Sequence, residues 1–236
     1  MNQPSIDVYS TVAHDVVIDH KQGKTSERIG GPATFISAVM KMQGIEEHCH
    51  VGPVVEVCIE VNEQGEIGSV TPVAQNKNVP VCKSGSALIS TLSREWDPVA
   101  VFETCNELYL DVQGFVRAPN IPGQKRLWKE FEGDWIKNVR CLKATELELS
   151  FIPAESVEDQ KTRILLVTKG ANGVDAYTEG RHMSFQPPRV VSTKDTIGAG
   201  DTFFAHTVAR IILGDSLETA IAVALEQTCQ FLENKA

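Results

Sequence analysis

The sequence predicts an α/β domain of three layers, in which a mostly parallel sheet lies between two layers of helices. Apolar runs of strand length, such as residues 164–167, alternate with segments of helical period, such as residues 203–212. Alternation of this kind is typical of parallel strands joined by helices. A short hairpin pattern near the N-terminus, around residues 6–18, adds antiparallel strands to the prediction.

Length and composition describe an ordinary globular protein, and we expect a single domain over residues 1–236. Hydrophobic residues make up 42% of the 236 positions and charged residues 22%, which is usual for a chain with one large core. The net charge of -9 and the isoelectric point of about 5.2 argue against a surface for nucleic acid or anionic membranes. The chain opens without a leader pattern and has no apolar run of membrane-spanning length, so we expect a cytoplasmic protein.

The six cysteines are scattered along the chain, and their spacing predicts reduced, buried thiols rather than disulfides. His48, Cys49 and His50 invite interpretation as a metal site. In a strand, however, the two histidines would share one face and have no third or fourth ligand in view. We therefore favour a strand with a buried Cys49 over a metal site.

The N-terminal half is predicted to begin with the hairpin and a glycine-led helix. Residues 6–9 and 16–18 are apolar strand patterns, and Asp15 stands between them, where alone it would be a turn residue. Gly30 and Gly31 precede a helical pattern with proline in its first turn, a preferred arrangement for a helix start. The patterns further along predict strands at 54–61, 67–70, 79–82 and in 107–117, a turn at 62–66, a loop at 120–128, and helices at 87–96 and 131–139.

The C-terminal half contains two junctions at which a strand leads into a turn or a helix. Residues 141–148 predict a strand followed by a helix, with Thr145 and Glu148 spaced as a capping box. Residues 164–173 predict a buried strand and a glycine turn, which alone are a hairpin signal. The last predicted elements are a strand at 174–177 and helices at 202–213 and 216–233.

The most informative stretch is DTIGAGDTFF at residues 195–204, a glycine loop that leads into a helix. Gly198 and Gly200 let an incoming group approach the backbone closely, because they lack a Cβ. Amide N–H groups at a helix start have no intrahelical acceptor, so they bind anions, most often phosphate. Asp201 adds a carboxylate in the first turn, which suits the proton of a hydroxyl group. The simpler alternative is an aspartate-capped helix after a glycine turn.

This string resembles the signature D-T-x-G-A-G-D-S/T-F of the ribokinase-like, or PfkB, family of sugar and nucleoside kinases. The resemblance implies a ribokinase-like α/β/α sandwich with a reduced lid. It also implies that Asp201 is the general base and that the amides of Gly198, Ala199 and Gly200 hold the transferred phosphoryl group.

Other motifs, in the order of that family, carry implied binding roles. The resemblance places Asp15, Gly30, Gly31 and Arg117 around the acceptor substrate. Glu148 would order Mg²⁺ near the phosphates, and the resemblance leaves open a monovalent cation near Asp195. The residues implied to bind the donor ATP are Lys143, Thr145, Thr168, Gly170, Gly173 and Thr196.

Two departures from the family pattern bear on the substrate and the metal. Phe35 stands where sugar kinases often carry asparagine, and the forms GGPATFIS and DVQGFVR look closer to the inositol kinase branch. Thr145 replaces the asparagine of the family's N-x-x-E. Since threonine donates one hydrogen bond rather than an amide pair, this departure predicts weaker metal handling.

The patterns and the resemblance predict an ATP-dependent kinase that phosphorylates a hydroxyl group of a small sugar or polyol, without nucleic-acid or membrane partners. A homodimer is left open. One alternative is a nucleoside kinase, although few aromatic residues between Gly31 and Leu110 are available to stack on a base. The other is a nucleotide-binding pseudokinase, favoured by Thr145 and by a short segment for the adenine, and disfavoured by an intact Asp201.

Overall fold

An eight-stranded sheet forms the centre of the computed structural model, which describes residues 3–62, 65–71, 73–118, 120, 127–193 and 195–235. The strands are β1 (Ser5–Ser10), β2 (Ala13–Asp19), β3 (Lys24–Gly30), β4 (Glu46–Val51), β5 (Val55–Asn62), β6 (Gly65–Val70), β7 (Ser86–Ser90), β8 (Glu107–Asp111), β9 (Arg117–Ala118), β10 (Leu127–Trp128), β11 (Cys141–Thr145), β12 (Ile164–Thr168), β13 (Val174–Thr178) and β14 (Arg181–Phe185). The order in the large sheet is β14-β13-β12-β11-β8-β7-β1-β4. Neighbours from β12 to β4 are parallel, and β13 and β14 are added antiparallel, so the sheet is mostly parallel as predicted.

The helices lie on both faces of this sheet and produce the three layers. They are α1 (Pro32–Met42), α2 (Pro98–Phe102), α3 (Gln113–Val116), α4 (Glu146–Leu149), α5 (Ala154–Gln160), α6 (Ala199–Ile212) and α7 (Leu217–Glu233), with 3₁₀ turns at Asp134–Asn138 and Gly170–Asn172. Among the described residues, no helix is both long and apolar enough to cross a bilayer.

The central strands of the large sheet are buried on both faces, and their successive side chains supply two separate cores. On β8, Tyr109 packs with α1, α6 and α7, while Leu108 and Leu110 pack with α2, α3 and the turn at Asp134–Asn138. This alternation follows from the two-residue period of a strand. Because helices cover both faces, both sets of side chains are apolar, and the sequences of these strands are continuous apolar runs.

A second sheet, with the order β3-β2-β5-β6, forms the lid beside the carboxyl end of β1. Strand β2 pairs antiparallel with β3 and parallel with β5. The buried residues of this second sheet include Ala13 and Asp15 of β2 and Val55 and Ile59 of β5. The turn predicted at 62–66 includes residues 63 and 64, which lie outside the described residues.

The prediction of a helix at 87–96 was wrong, because residues 86–90 form β7 in the middle of the large sheet. The run Ala87-Leu88-Ile89 is apolar at every position and fully buried. Such a run has neither the alternation of a half-exposed strand nor the period of a helix. The tertiary packing, with helices on both faces, determines its structure.

Three smaller predictions also need correction. Residues 79–82 form no strand, and the helix expected at 131–139 is a 3₁₀ turn over Asp134–Asn138. The loop expected at 120–128 ends in β10, which pairs with β9, while residues 121–126 lie outside the described part. These segments are short, so local sequence gives them little preference beyond what packing imposes.

The predicted strand at His48–His50 is confirmed as part of β4, but Cys49 is exposed rather than buried. Strand β4 is the edge of the sheet, where the outward face has less cover. His50 Nε2 donates to the buried carboxylate of Asp7 at 2.8 Å. The described residues contain no group of three side chains able to hold a metal ion. The cysteines are all free; Cys82, Cys141 and Cys229 are buried.

His206 on α6 makes folding stability depend on pH. Burial lowers its pKa from 6.5 to about 4, with a smaller contribution from the Arg210 charge. Below pH 6.5 His206 binds a proton in the unfolded chain but stays neutral in the folded protein. The free energy of unfolding therefore decreases as the pH falls from 6.5 towards 4. We expect His206→Gln to remove about 2 kcal/mol of the difference in unfolding free energy between pH 7 and pH 4.5.

The measurement is urea unfolding of wild type and variant at the two pH values. His182→Gln is the matched control, because His182 is about half exposed on β14. Equal pH dependence in wild type and His206→Gln would contradict the assignment, whatever the absolute stability of the variant.

Candidate active site

The carboxyl ends of the parallel strands meet at the start of α6. Ser10, Ser90 and Asp111 are neighbours in register at the ends of β1, β7 and β8. Asp201, in the first turn of α6, accepts hydrogen bonds from Ser90 Oγ at 3.4 Å and from Gln113 Nε2 at 3.2 Å. Ligands in open α/β sheets gather at this edge, so the sheet and the helix together define one candidate site.

The loop before α6 is shaped by Gly198. This residue is the N-cap of α6 in a left-handed conformation, with φ of 83°, where L side chains are strained and glycine is not. A Cβ at Gly198 would also stand 2.4 Å from the ring of Phe35. The Ala199 N–H donates to the Thr196 carbonyl at 3.1 Å and closes the turn. The amides of Gly198 and Gly200 belong to the helix start that lacks intrahelical acceptors.

Two cavities lie on opposite sides of this loop, and Thr196 borders both. The first, about 390 Å³, is closed on one side by lid residues Val57, Ile59 and Val70. Its polar wall consists of Asp15, Gln113, Arg117 and Asp201, with Gly31 and Gly198 between them. We call it the acceptor cavity.

The second cavity, about 380 Å³, lies between the Gly170–Asn172 turn and α7. We call it the donor cavity. Its lining combines the polar residues Thr145, Thr168 and Thr196 with apolar residues of the 190–191 segment and of α7. The predicted donor residues that line it are Thr145, Thr168, Gly170, Gly173 and Thr196. Gly200 borders this cavity and Gly198 the other, so the loop separates the two spaces.

Beneath the loop lies a cluster of charged groups. Lys143 Nζ is 2.7 Å from Asp111 Oδ2, and both residues are buried. Arg117 faces Glu148 at 3.5 Å. With Asp201 the cluster has three carboxylates against two cations. Lys143, predicted to bind ATP, places its ammonium in this cluster, 3.3 Å from where a Cβ of Gly200 would stand.

The pKa values in this cluster follow from burial and from the two cations. Burial raises the pKa of Asp201, although Lys143 and Arg117 act in the opposite direction. Burial would also raise the pKa of Glu148, but Lys143 and Arg117 outweigh it and lower that pKa. Burial would lower the pKa of Lys143, and the three carboxylates outweigh it and raise it. Lys143 therefore stays charged. Burial also raises the pKa of Asp111, to about 6, so two carboxylates of the cluster have a raised pKa, and Asp201 is the one of these two that lines the acceptor cavity.

Glu148 has the capping-box role that its spacing with Thr145 predicted. Its Oε2 accepts the Thr145 N–H at 2.8 Å, while Thr145 Oγ1 accepts the Glu148 N–H at 3.2 Å. One engaged carboxylate does not make a protein-held metal site. It fits Mg²⁺ that arrives bound to donor phosphates, since this ion keeps several waters and needs only one or two carboxylates.

The predicted acceptor residues Asp15, Gly30 and Gly31 lie together under the lid. A Cβ on Gly30 would collide with the Asp15 carboxylate, and one on Gly31 would stand 2.5 Å from the Thr11 carbonyl oxygen. Asp15 is buried, and burial raises its pKa. Arg28 Nε lies 3.6 Å from Asp15, and its Nη1 donates to Asp195 Oδ2 at 2.7 Å. Arg28 thus joins the lid to the loop.

Sequence reasoning missed several residues of this site. Gln113 is part of the DVQGFVR motif, so the motif was a signal for this residue, whose side chain contacts Asp201. Ser90 was hidden by the wrong helix at 87–96. Arg28 and Lys235, which both contact Asp195, come from distant parts of the chain and carry no motif.

Comparisons with known proteins agree with the fold. Residues 125–229 match the family described as pfkB family carbohydrate kinase. Over 95 residues the chain is 28% identical to adenosine kinase from Schizosaccharomyces pombe, which covers 39% of this chain and 28% of that enzyme. The sequence match thus spans less than a third of that curated relative.

Solved structures extend the likeness to nearly the whole chain. A pyrophosphate-dependent kinase of the ribokinase family, in complex with sulfate, superposes with a TM-score of 0.74 at 19% identity, covering 97% of this chain and 95% of that one. A structure of such a kinase with a pyrophosphate analog and myo-inositol gives a TM-score of 0.69 at 19% identity and the same coverage. The fold is therefore ribokinase-like, and the sequence of residues 125–229 is similar to that of the pfkB carbohydrate kinases.

Proposed function

We propose that this protein transfers the terminal phosphoryl group of ATP to a hydroxyl group of a small sugar or polyol. The observation that carries the proposal is the position of one helix start between two cavities. Asp201 lines the acceptor cavity, and the neighbouring Gly200 amide borders the donor cavity. Phosphoryl transfer to an alcohol needs this arrangement, because the base and the anion-stabilising donors must face the reacting atoms from the two sides.

The acceptor cavity favours a small compound with several hydroxyl groups. The carboxylates of Asp15 and Asp201 can accept hydroxyl protons, whereas Arg117 and Gln113 can donate to hydroxyl oxygens. The lid residues Val57, Ile59 and Val70 cover the opposite side with apolar surface, which limits water at the reacting hydroxyl. The myo-inositol bound to a structural neighbour belongs to the same chemical class.

The donor cavity favours a nucleotide. Thr145, Thr168 and Gly170 provide polar groups, while Val190, Val191 and Leu232 provide apolar surface. A nucleoside triphosphate likewise combines a polar part, the phosphates, with a less polar part, the base. Mg²⁺ on the phosphates would neutralise charge that develops during transfer. Glu148, whose carboxylate accepts the N–H of the cavity residue Thr145, would order this ion.

In the proposed reaction, Asp201 accepts the proton of the acceptor hydroxyl as that oxygen attacks the terminal phosphorus. A new O–P bond forms while the bond between phosphorus and the ADP oxygen breaks. The amides of Gly198 and Gly200 stabilise charge on the transferred group, and Ala199 joins them if its turn hydrogen bond opens. Asp15, with Gly30 and Gly31 giving room beside it, holds the acceptor under the lid.

Two other substrates have specific support. A nucleoside acceptor is favoured by the 28% identity to adenosine kinase, although Phe35 is the single aromatic residue lining the acceptor cavity in the described part of the chain. Pyrophosphate as donor is favoured by the structural neighbours that use it. The apolar lining of the donor cavity supports ATP over pyrophosphate, because pyrophosphate has no apolar part to place against it.

The test is a matrix of donors and acceptors. ATP and pyrophosphate are each combined with inositols, sugars and nucleosides, and the phosphorylated acceptor is detected by mass spectrometry. We expect turnover with ATP and one polyol or sugar. Turnover restricted to nucleosides or to pyrophosphate would replace the corresponding part of the proposal. ATP binding by calorimetry without product from any acceptor would favour the pseudokinase.

A further inference from the structure

The ammonium group of Lys235 lies against the loop that precedes α6. Lys235 follows the end of α7, and its Nζ donates to the Ile197 carbonyl oxygen at 2.7 Å. The same Nζ is 3.2 Å from Asp195 Oδ1. The ring centres of Phe231 and Phe35 are 4.8 Å and 5.7 Å from it. One cation therefore has a carboxylate, a carbonyl and two aromatic faces around it.

These contacts fix the residues that lead into the anion-binding turn. Asp195 Oδ1 also accepts the Ile197 N–H at 3.0 Å, so the ammonium and the loop's own turn share one carboxylate oxygen. Asp195 Oδ2 is taken by Arg28. Phe35, which faces the ammonium, also packs where a Cβ of Gly198 would stand. The position of Gly198 thus depends on groups that the ammonium draws together.

The oxygen atoms that contact this ammonium group are of the kinds that coordinate a monovalent cation. A carboxylate and a backbone carbonyl within 3.2 Å offer negative charge and a dipole to one small ion. A lysine ammonium is itself a compact, strongly hydrated charge, comparable to a dissolved ion. Its side chain is 20% exposed, so much of its water is replaced by these groups, and aromatic faces are favourable partners for a partly dehydrated cation.

We propose that Lys235 is the built-in monovalent cation of this loop and that it makes the activity independent of dissolved potassium or ammonium ions. The proposal rests on the proposed kinase function for its activity readout. Lys235 is a positioning residue: it touches neither cavity and acts by holding the Asp195–Gly198 segment. Because Lys235 is covalently connected to α7, its ammonium group stays at the loop whatever the salt concentration, and the loop is held without an added ion.

The competing explanation is an ordinary ion pair at the end of a helix, which would contribute little and in a non-specific way. The two explanations differ in what a dissolved cation can do after the lysine is removed. A vacated cation site would be refilled by an ion of suitable size, whereas a lost ion pair would respond to all salts alike, through screening.

The experiment compares wild type, Lys235→Met and the control Lys161→Met in buffers of equal ionic strength containing choline, sodium, potassium or ammonium chloride. Lys161 is a half-buried lysine on the surface that pairs with Glu158, far from the loop in sequence. Rates are measured with the acceptor found above. Melting temperatures are measured in the same buffers with and without ATP.

We expect wild type and Lys161→Met to vary less than about twofold across the four salts, because the loop already holds its cation. In choline, Lys235→Met should lose about tenfold or more in kcat, since a loosened anion loop stabilises the transition state poorly. Potassium or ammonium should restore most of this loss and raise the melting temperature of this variant alone, with choline ineffective.

Three results would overturn the proposal. One is a wild-type rate that rises severalfold with potassium, which would show that a dissolved ion is still needed. Another is an unchanged rate and melting temperature in Lys235→Met. The third is a loss that no cation restores. If no acceptor is phosphorylated at all, the kinase function fails, but cation-specific restoration of the melting temperature still decides the role of Lys235.

Discussion

Asp201→Asn is expected to lower turnover by about a thousandfold while leaving the fold and the affinity for ATP nearly unchanged. Asparagine has the shape of aspartate and can keep contacts with Ser90 and Gln113, which now reach the carboxylate at 3.4 and 3.2 Å. It cannot take up a proton. The hydroxyl would then have to attack without a base, which affects the transition state and leaves the binding of the donor on the other side of the loop intact.

The measurement combines initial rates at saturating acceptor with calorimetric titration of ATP. Asp159→Asn is the control, because Asp159 is an exposed carboxylate that pairs with Arg163 on α5. Retention of more than about a tenth of the wild-type rate would remove Asp201 from the role of general base. Lost ATP affinity together with lost turnover would instead assign Asp201 to the donor side.

The same assignment predicts the acid limb of the pH profile. Burial raises the pKa of Asp201 above the ordinary value for aspartate. Since a general base works only when deprotonated, kcat of the wild type should fall as the pH drops through that raised value. The limb should be absent from the residual activity of Asp201→Asn, which distinguishes the titration of the base from acid unfolding.

The parts of the site that could be predicted from the sequence are those whose residues lie close together along the chain. The glycines of the 195–204 stretch, the first-turn Asp201 and the Thr145–Glu148 capping box are separated by only a few positions, so one motif carries each of them. Backbone conformation confirms the local reasoning, as at Gly198 with its φ of 83°. The strand predicted in 107–117 is confirmed over Glu107–Asp111, because a buried apolar run is a local signal, but Gln113–Val116 form α3 instead of continuing the strand.

The parts that the sequence did not predict depend on contacts between distant segments. Arg28 meets Asp195 across 167 positions, and Lys235 meets Ile197 across 38. Neither residue differs locally from any exposed charged residue. The error at β7 has the same origin: residues 87–89 are apolar throughout, and burial on both faces of a central strand erases the alternation that identifies an exposed one.

The buried ammonium of Lys143 carries the second large effect. Lys143→Met removes the partner of Asp111, which is fully buried and has Lys143 Nζ at 2.7 Å. Removing one member of a buried pair leaves the other charge uncompensated, and we expect a loss of about 3 kcal/mol or more in unfolding free energy. The cluster with Glu148 and Asp201 would then keep three carboxylates against Arg117 alone.

Stability and catalysis can be separated with the double variant Lys143→Met, Asp111→Asn. The asparagine removes the unpaired charge and can still accept the Gln113 N–H that Asp111 Oδ1 accepts at 3.2 Å, so most of the stability should return. Turnover should stay about a hundredfold below wild type, because the Asp201 carboxylate has lost a cation that lowers its pKa.

The acid limb of the kcat profile in the double variant should move to higher pH than in wild type, since Asp201 without Lys143 holds its proton more firmly. Urea unfolding and the pH dependence of kcat are measured on wild type, Lys143→Met and the double variant. Recovery of both stability and turnover in the double variant would reduce Lys143 to a structural partner of Asp111. Recovery of stability alone, with a displaced acid limb, would place the Lys143 charge in the control of the catalytic base.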